Sequence, residues 1–168
     1  VFTGLNDNTE ATDRAVGEVC KKNGYEIPIH VDAAIGGLVE PFIRPGNKWD
    51  FRLGRVTSIS TSAHKYGLVY PSLGWVVWRD GSLLHPSLRP SGSFPDIAGS
   101  FPVRYVSRPS MRVTGQFYQF VRLGSGGFCY IHSGSKDVAE QLAGRPSHMK
   151  VCDVTSRDLD TTKPVFAP

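Results

Sequence analysis

The stretch "RVTSISTSAHKYG", residues 55–67, decides how this sequence reads. Its first half is short and β-branched, the composition of a buried strand. Its second half abandons that pattern for the hydroxyl residues Ser60, Thr61 and Ser62, then His64, Lys65 and Gly67. Taken alone, Lys65 is an exposed loop lysine, because lysines are almost never fully buried. A second near-continuous apolar run changes the question. "IPIHVDAA", residues 27–34, reads as another strand and delivers Asp32 at its carboxyl edge. In open α/β sheets, ligands sit outside the carboxyl ends of the strands. An acid at one strand end and a lysine at the next either form an ion pair or hold something between them.

The rest of the chain fits a sheet of this kind. "DNTEATDRAVGEVCKKNGY", residues 7–25, reads as a helix capped by Asn8 or Thr9 and stopped by Gly24. Acidic Glu10 and Asp13 fall early and Lys21 and Lys22 late, which suits the helix dipole. Val16, Val19 and Cys20 form its apolar face. "LGWVVWRD", residues 73–80, reads as a third strand. Strand, helix and strand with apolar strands predict a parallel or mixed α/β sheet. Residues 81–109 are rich in Pro, Ser and Gly and read as long irregular structure, which in compact domains is usually functional or mobile. Residues 110–128 read as a helix interrupted at "GSGG", and residues 130–144 as another helix. The tail from Arg145 is polar and weakly patterned.

Composition narrows the function classes. The chain has 168 residues, 40% hydrophobic and 20% charged, with a net charge of +4. That is globular and long enough for a sizeable core. The positive residues are scattered, with no clustered basic face or aromatic platform, which argues against nucleic acid. Cys20, Cys129 and Cys152 are odd in number and match no zinc spacing, so no metal site is expected and a reducing, cytoplasmic setting is the simplest reading. No apolar run approaches the roughly 18 residues of a membrane span. The chain starts at Val1 inside strand-like "VFTG" and stops in "KPVFAP", so it reads as a fragment of a longer protein.

Lysine has a second role besides ion pairing. Its amine forms a Schiff base with an aldehyde cofactor, and pyridoxal phosphate needs a carboxylate to keep its ring nitrogen protonated. Hydroxyls and a histidine beside the lysine can hold the phosphate. The sequence supplies carboxylate, hydroxyl and lysine in that order.

At this point the wording of residues 27–80 closely resembles the glutamate decarboxylases, a group of pyridoxal-phosphate-dependent decarboxylases. The family pattern HxDAASGG, then WDFRLPRVxSIxxSGHK[YF]G, then GWVxWRD is met here by "HVDAAIGG", "WDFRLGRVTSISTSAHKYG" and "GWVVWRD". "SRPS" at 107–110 and "GQFYQFVRLGSGGF" at 115–128 continue it more weakly. The resemblance implies a partial large domain of the fold-type I, aspartate aminotransferase-like enzymes: α/β, with a mostly parallel sheet flanked by helices. Residues 1–130 would belong to that domain, and 131–168 would be a divergent tail or the start of a small C-terminal domain. Lys65 matches the Schiff-base lysine and Asp32 the carboxylate on the pyridine nitrogen. Ala34 matches a small residue packed on the ring, Ser62 and His64 match groups near the phosphate, and His30 matches a histidine lining the pocket. His30 reads equally well as a satisfied strand histidine. The implied reaction is α-decarboxylation of L-glutamate to 4-aminobutyrate and carbon dioxide, in a homodimer or larger assembly.

Several positions depart from the pattern. Ala63 stands for a glycine, Ile35 for a serine, Gly54 for a proline, Val1 for a common pocket threonine, and Phe94-Pro95 for Tyr-Leu. A methyl at Ala63 is expected to cost of order 1 kcal/mol if the turn needs special backbone angles. Two readings therefore stand side by side: a decarboxylase whose isolated fragment is inactive, and a truncated, non-catalytic relative that at most associates with a full-length subunit.

Overall fold

Asn8 opens the first helix, α1 (Thr9–Asn23), its Oδ1 accepting from the amide of Ala11 at 3.0 Å. The computed structural model describes residues 6–86 and 110–144. Gly24 closes α1 at φ 71°, in the left-handed region where glycine carries no Cβ penalty, and its amide bonds the Cys20 carbonyl at 2.9 Å. The buried face of α1 is centred on Gly17 and Cys20, and Val19 is 47% exposed, which corrects the apolar face expected from the sequence. The reason is Arg55. Its guanidinium lies 3.0 Å from where a Cβ on Gly17 would stand, and it pairs with Asp13 at 3.6 Å, so the helix turns its glycine toward the sheet.

The sheet has three strands among the described residues, in the order β1 (Ile29–Asp32), β2 (Val56–Thr61), β3 (Trp75–Trp78). β1 and β2 run parallel, while β3 pairs antiparallel to β2, so the sheet is mixed. His30 lies opposite Ser58 and Asp32 opposite Ser60. Since side chains alternate along a strand, His30, Asp32, Ser58 and Ser60 share one face. The core includes Ala33, Leu53, Val56 and Ile59, with Ile29, Val31, Trp49 and Phe51 packed against them. Arg79, at the end of β3, ties this core to the preceding loop. It donates to the carbonyls of Val56, Phe51 and Leu53 at 2.8, 2.8 and 2.6 Å and lies over the Phe51 ring.

The β1–β2 crossover contains a 3₁₀ turn (Gly36–Leu38) and the single-turn helix α2 (Glu40–Ile43), neither anticipated from sequence. Glu40 is buried and fully satisfied by Asn6, Asn47 and two bonds from Arg44. Beyond β2 comes another one-turn helix, α3 (Ala63–Tyr66). Last is α4 (Met111–Gly144), broken at Gly124 (φ 57°, ψ −169°) where the sequence predicted an interruption. α4 runs through position 130 and packs on α2: Phe42 stacks on Phe128 with centroids 4.8 Å apart, and His132 joins that cluster. Most of the Pro/Ser-rich stretch, with Val1, Phe94, Pro95 and the tail from Arg145, lies outside the described residues.

Candidate cofactor site

Two strand ends are stitched together at the carboxyl edge of the sheet. The Ala33 amide donates to the Ser60 carbonyl at 2.8 Å, and the Ser62 amide donates to the Ala34 carbonyl at 3.2 Å. The parallel pairing is thereby carried past both strands, and the loops bearing Asp32–Ala34 and Ser62–Lys65 lie side by side. Asp32 uses Oδ1 to accept from the Ala34 amide at 3.0 Å, a turn that fixes its carboxylate. The Ser60 hydroxyl reaches the same oxygen at 3.5 Å. Among the described residues, Oδ2 has no partner.

His30 has both ring nitrogens engaged, Nδ1 with the Ser58 hydroxyl at 2.8 Å and Nε2 with the Ser60 hydroxyl at 3.3 Å. It is thus a strand histidine satisfied by its neighbours. It also lines, with Asp32, a cavity of about 340 Å³ that extends to Thr9, Thr12, Asn47 and Trp49. Ser62, His64 and Lys65 do not line that cavity.

Ser62 occupies the cap position of α3, yet its hydroxyl makes no cap bond. His64 is anchored twice to Leu73: its amide and its Nδ1 both bond the Leu73 carbonyl, at 3.3 and 2.8 Å. A carbonyl only accepts, so Nδ1 carries a proton and Nε2 is left for other use. Lys65 is exposed, and its amide bonds the Ser62 carbonyl at 3.0 Å. Among the described residues it forms no ion pair with Asp32 or any other acid, so the simple ion-pair reading of these two residues fails. Next to it, burial raises the pKa of the Tyr66 phenol.

One expectation about the departures changes. Ala63 is fully buried in ordinary helical backbone, since the non-glycine residues at positive φ are Leu68 and Ser72. Its methyl therefore carries no backbone cost of the kind expected. Ile35 is absorbed by packing against Val39. The "WDFRL" loop is structural: Arg52 donates to Asp50 at 2.9 Å and to the Pro45 carbonyl at 2.8 Å. Partial burial works against the Asp50 carboxylate, but Arg52 still holds its pKa below the ordinary carboxylate value.

The residues that sequence reasoning left out of the site are Ser58, Ser60 and Leu73, which hold His30, Asp32 and His64. Alternation in "VTSIS" puts both serines on one face, but only the register with β1 shows that this face carries His30 and Asp32.

A parallel β1–β2 pair that brings an anchored carboxylate beside a loop of hydroxyl, imidazole and amine defines a lysine-bearing α/β site. The chain matches the pyridoxal-dependent decarboxylase conserved domain over residues 11–149 and belongs to that family. It is 44% identical over 144 residues to a glutamate decarboxylase of Lactococcus lactis subsp. cremoris (strain MG1363), covering 84% of this chain and 30% of that protein. Glutamate decarboxylase beta of Listeria innocua is likewise 44% identical, with 84% of this chain and 31% of that one covered. The structure superimposes on Lactobacillus brevis glutamate decarboxylase with TM-score 0.77 and 39% identity, covering 88% of this chain and 34% of the other. A sphingosine-1-phosphate lyase of Burkholderia pseudomallei shares the fold at TM-score 0.59 and 23% identity, over 84% and 32% of the two chains. The chain thus spans about a third of the length of the relatives it matches.

Proposed function

We propose that this chain carries the lysine half of a pyridoxal-phosphate site and belongs to a protein that decarboxylates L-glutamate to 4-aminobutyrate. The single observation that carries the reading is the pair of stitched strand ends, Ala33–Ser60 and Ala34–Ser62, which set Asp32 and Lys65 on adjacent loops without pairing them. Family membership and the 44% identity to glutamate decarboxylases support it.

The donor set fits the group. Pyridoxal phosphate supplies an aldehyde that condenses with amines and a ring that accepts the electron pair left when a carboxylate departs as carbon dioxide. Asp32, anchored through Oδ1, offers Oδ2 to a protonated ring nitrogen. Ala34 is small and half-buried beside it, which leaves room for a flat ring. The Ser62 hydroxyl, unused as a cap, and Nε2 of His64 are the groups for a phosphate. Lys65 Nζ, which has no acid partner among the described residues, would be the amine for the aldehyde and is placed to hold or move a proton. His30 orients the serines and lines the cavity rather than touching the reacting atoms. Assembly as a homodimer or larger, which the resemblance implies, would complete the site from another copy.

The test is release of labelled carbon dioxide by the 168-residue chain. It is assayed alone and mixed with a full-length relative whose own lysine is removed, with glutamate, aspartate and an aromatic amino acid as substrates. Turnover confined to glutamate supports the reading. No turnover either alone or in the mixture, despite a shown association, leaves the non-catalytic relative.

A further inference from the structure

Helix α4 reaches the lysine loop through two amides. Gln116 is fully buried, and its Nε2 donates to the Gly67 carbonyl at 3.0 Å. Three residues on, on the same helix face, Gln119 donates through Nε2 to the Leu68 carbonyl at 3.0 Å. Gly67 and Leu68 directly follow α3. Gly67 caps α3 and Leu68 is the first residue beyond it, so neither carbonyl is served within the helix, and these two side chains supply the donors.

The turn they hold is not one the chain adopts freely. Leu68 has φ 61°, in a region that side-chain-bearing residues rarely occupy. Such backbone persists only where its surroundings over-determine it. Gly67 is enclosed as well: a Cβ there would lie 2.3 Å from the Ala63 carbonyl oxygen, 2.5 Å from Gln116 Oε1 and 2.7 Å from a Leu38 methyl. Gln116 Oε1 has no hydrogen-bond donor among the described residues. A buried acceptor left unpaired costs stability, so a leucine of similar size would serve packing better. What the amide adds is the bond to Gly67.

We propose that Gln116 and Gln119 are positioning residues, which fix the turn after α3 and so set where Lys65 Nζ stands. The role of Lys65 rests on the pyridoxal-phosphate reading above; the fixing of the turn does not. The apolar variants Gln116→Leu and Gln119→Leu are made in the full chain, with Lys136→Ala on the far part of α4 as a control. Two readouts are taken. In the cofactor-free proteins, amide hydrogen exchange is followed across residues 66–70. With pyridoxal phosphate added, the borohydride-stable label on Lys65 is quantified by peptide mass, and the pH dependence of the bound cofactor's absorbance is recorded.

Each leucine variant is expected to speed exchange around Leu68, to lower Lys65 labelling about tenfold, the worth of roughly one hydrogen bond, and to shift the absorbance pH profile. The control should move none of these. Unchanged exchange and labelling in both leucine variants would overturn the proposal. A wild-type chain that labels no particular lysine would count against the function proposed above, and exchange alone would then decide the clamp. If Gln116→Leu does not fold, Gln119→Leu, at a half-buried position, still decides it.

Discussion

The amide of Ser62 donates to the carbonyl of Ala34 at 3.2 Å, beyond the last paired residues of either strand. That bond extends the parallel pairing into the loops and makes the Asp32 turn and the Lys65 turn one piece of structure. Asp32 uses Oδ1 in its own turn while Oδ2 has no partner among the described residues, so its turn and its ligand chemistry can be tested apart.

Asp32→Asn is expected to keep the fold, because Oδ1 of asparagine still accepts from the Ala34 amide. It removes the negative charge that would hold a ring nitrogen protonated. Cofactor titration should show affinity falling at least about tenfold, with unfolding stability changed by less than about 0.5 kcal/mol. Equal affinity would remove Asp32 from the site.

Glu40→Ala strikes a different polar group, buried and bonded to Asn6, Arg44 and Asn47. Losing the carboxylate strands a partly buried guanidinium and two amides. Urea unfolding should show a loss of about 3 kcal/mol. A loss below about 1 kcal/mol would mean that water replaces the carboxylate without difficulty.

The glycines divide sharply. Gly67→Ala places a methyl against the Ala63 carbonyl, Gln116 and Leu38, and should cost about 2 kcal/mol or more. Gly54→Ala meets nothing within 4 Å and has no positive φ, so it should be neutral or stabilise by about 0.5 kcal/mol. Thermal melts of the two variants side by side check both.

His132 supplies a pH dependence. It is 1% exposed and packed among Phe42, Tyr66 and Phe128. Burial lowers its pKa from the ordinary imidazole value, and the carbonyls of Leu38 and Tyr66, which act the other way, do not offset it. The unfolded chain therefore binds this proton at higher pH than the folded one. Stability should be complete above about pH 6.5 and fall as the pH drops below it, by up to about 1.4 kcal/mol per pH unit until the folded imidazole also titrates. Urea midpoints at neutral and mildly acid pH should diverge in the wild type and converge in His132→Leu. An equal slope in both would place the dependence elsewhere.

The legible parts of the fold were those fixed by short-range chemistry. Asn8 and Gly24 mark the ends of α1 because cap bonds and positive φ are local requirements, and Gly124 breaks α4 for the same reason. Asp32, Ala34, Ser62, His64 and Lys65 could be picked out because their wording matches a family. What the sequence did not show depends on distant partners. The register that sets Ser58 and Ser60 beneath His30 and Asp32, and the antiparallel course of β3, arise from pairing between strands. Val19 faces outward because Gly17, by lacking a side chain, admits Arg55 and rotates the buried face. Gln116 and Gln119 carry no local signal, since their partners lie far back along the chain at Gly67 and Leu68.

The central claim is that Lys65 is the cofactor lysine. The most direct measurement is to incubate the purified chain with pyridoxal phosphate, reduce with borohydride, digest and locate the label by mass spectrometry. We expect one dominant label, on Lys65, which falls to background in Asp32→Ala while the other lysines are unchanged. Label spread evenly over surface lysines, or a Lys65 label indifferent to Asp32, would contradict it.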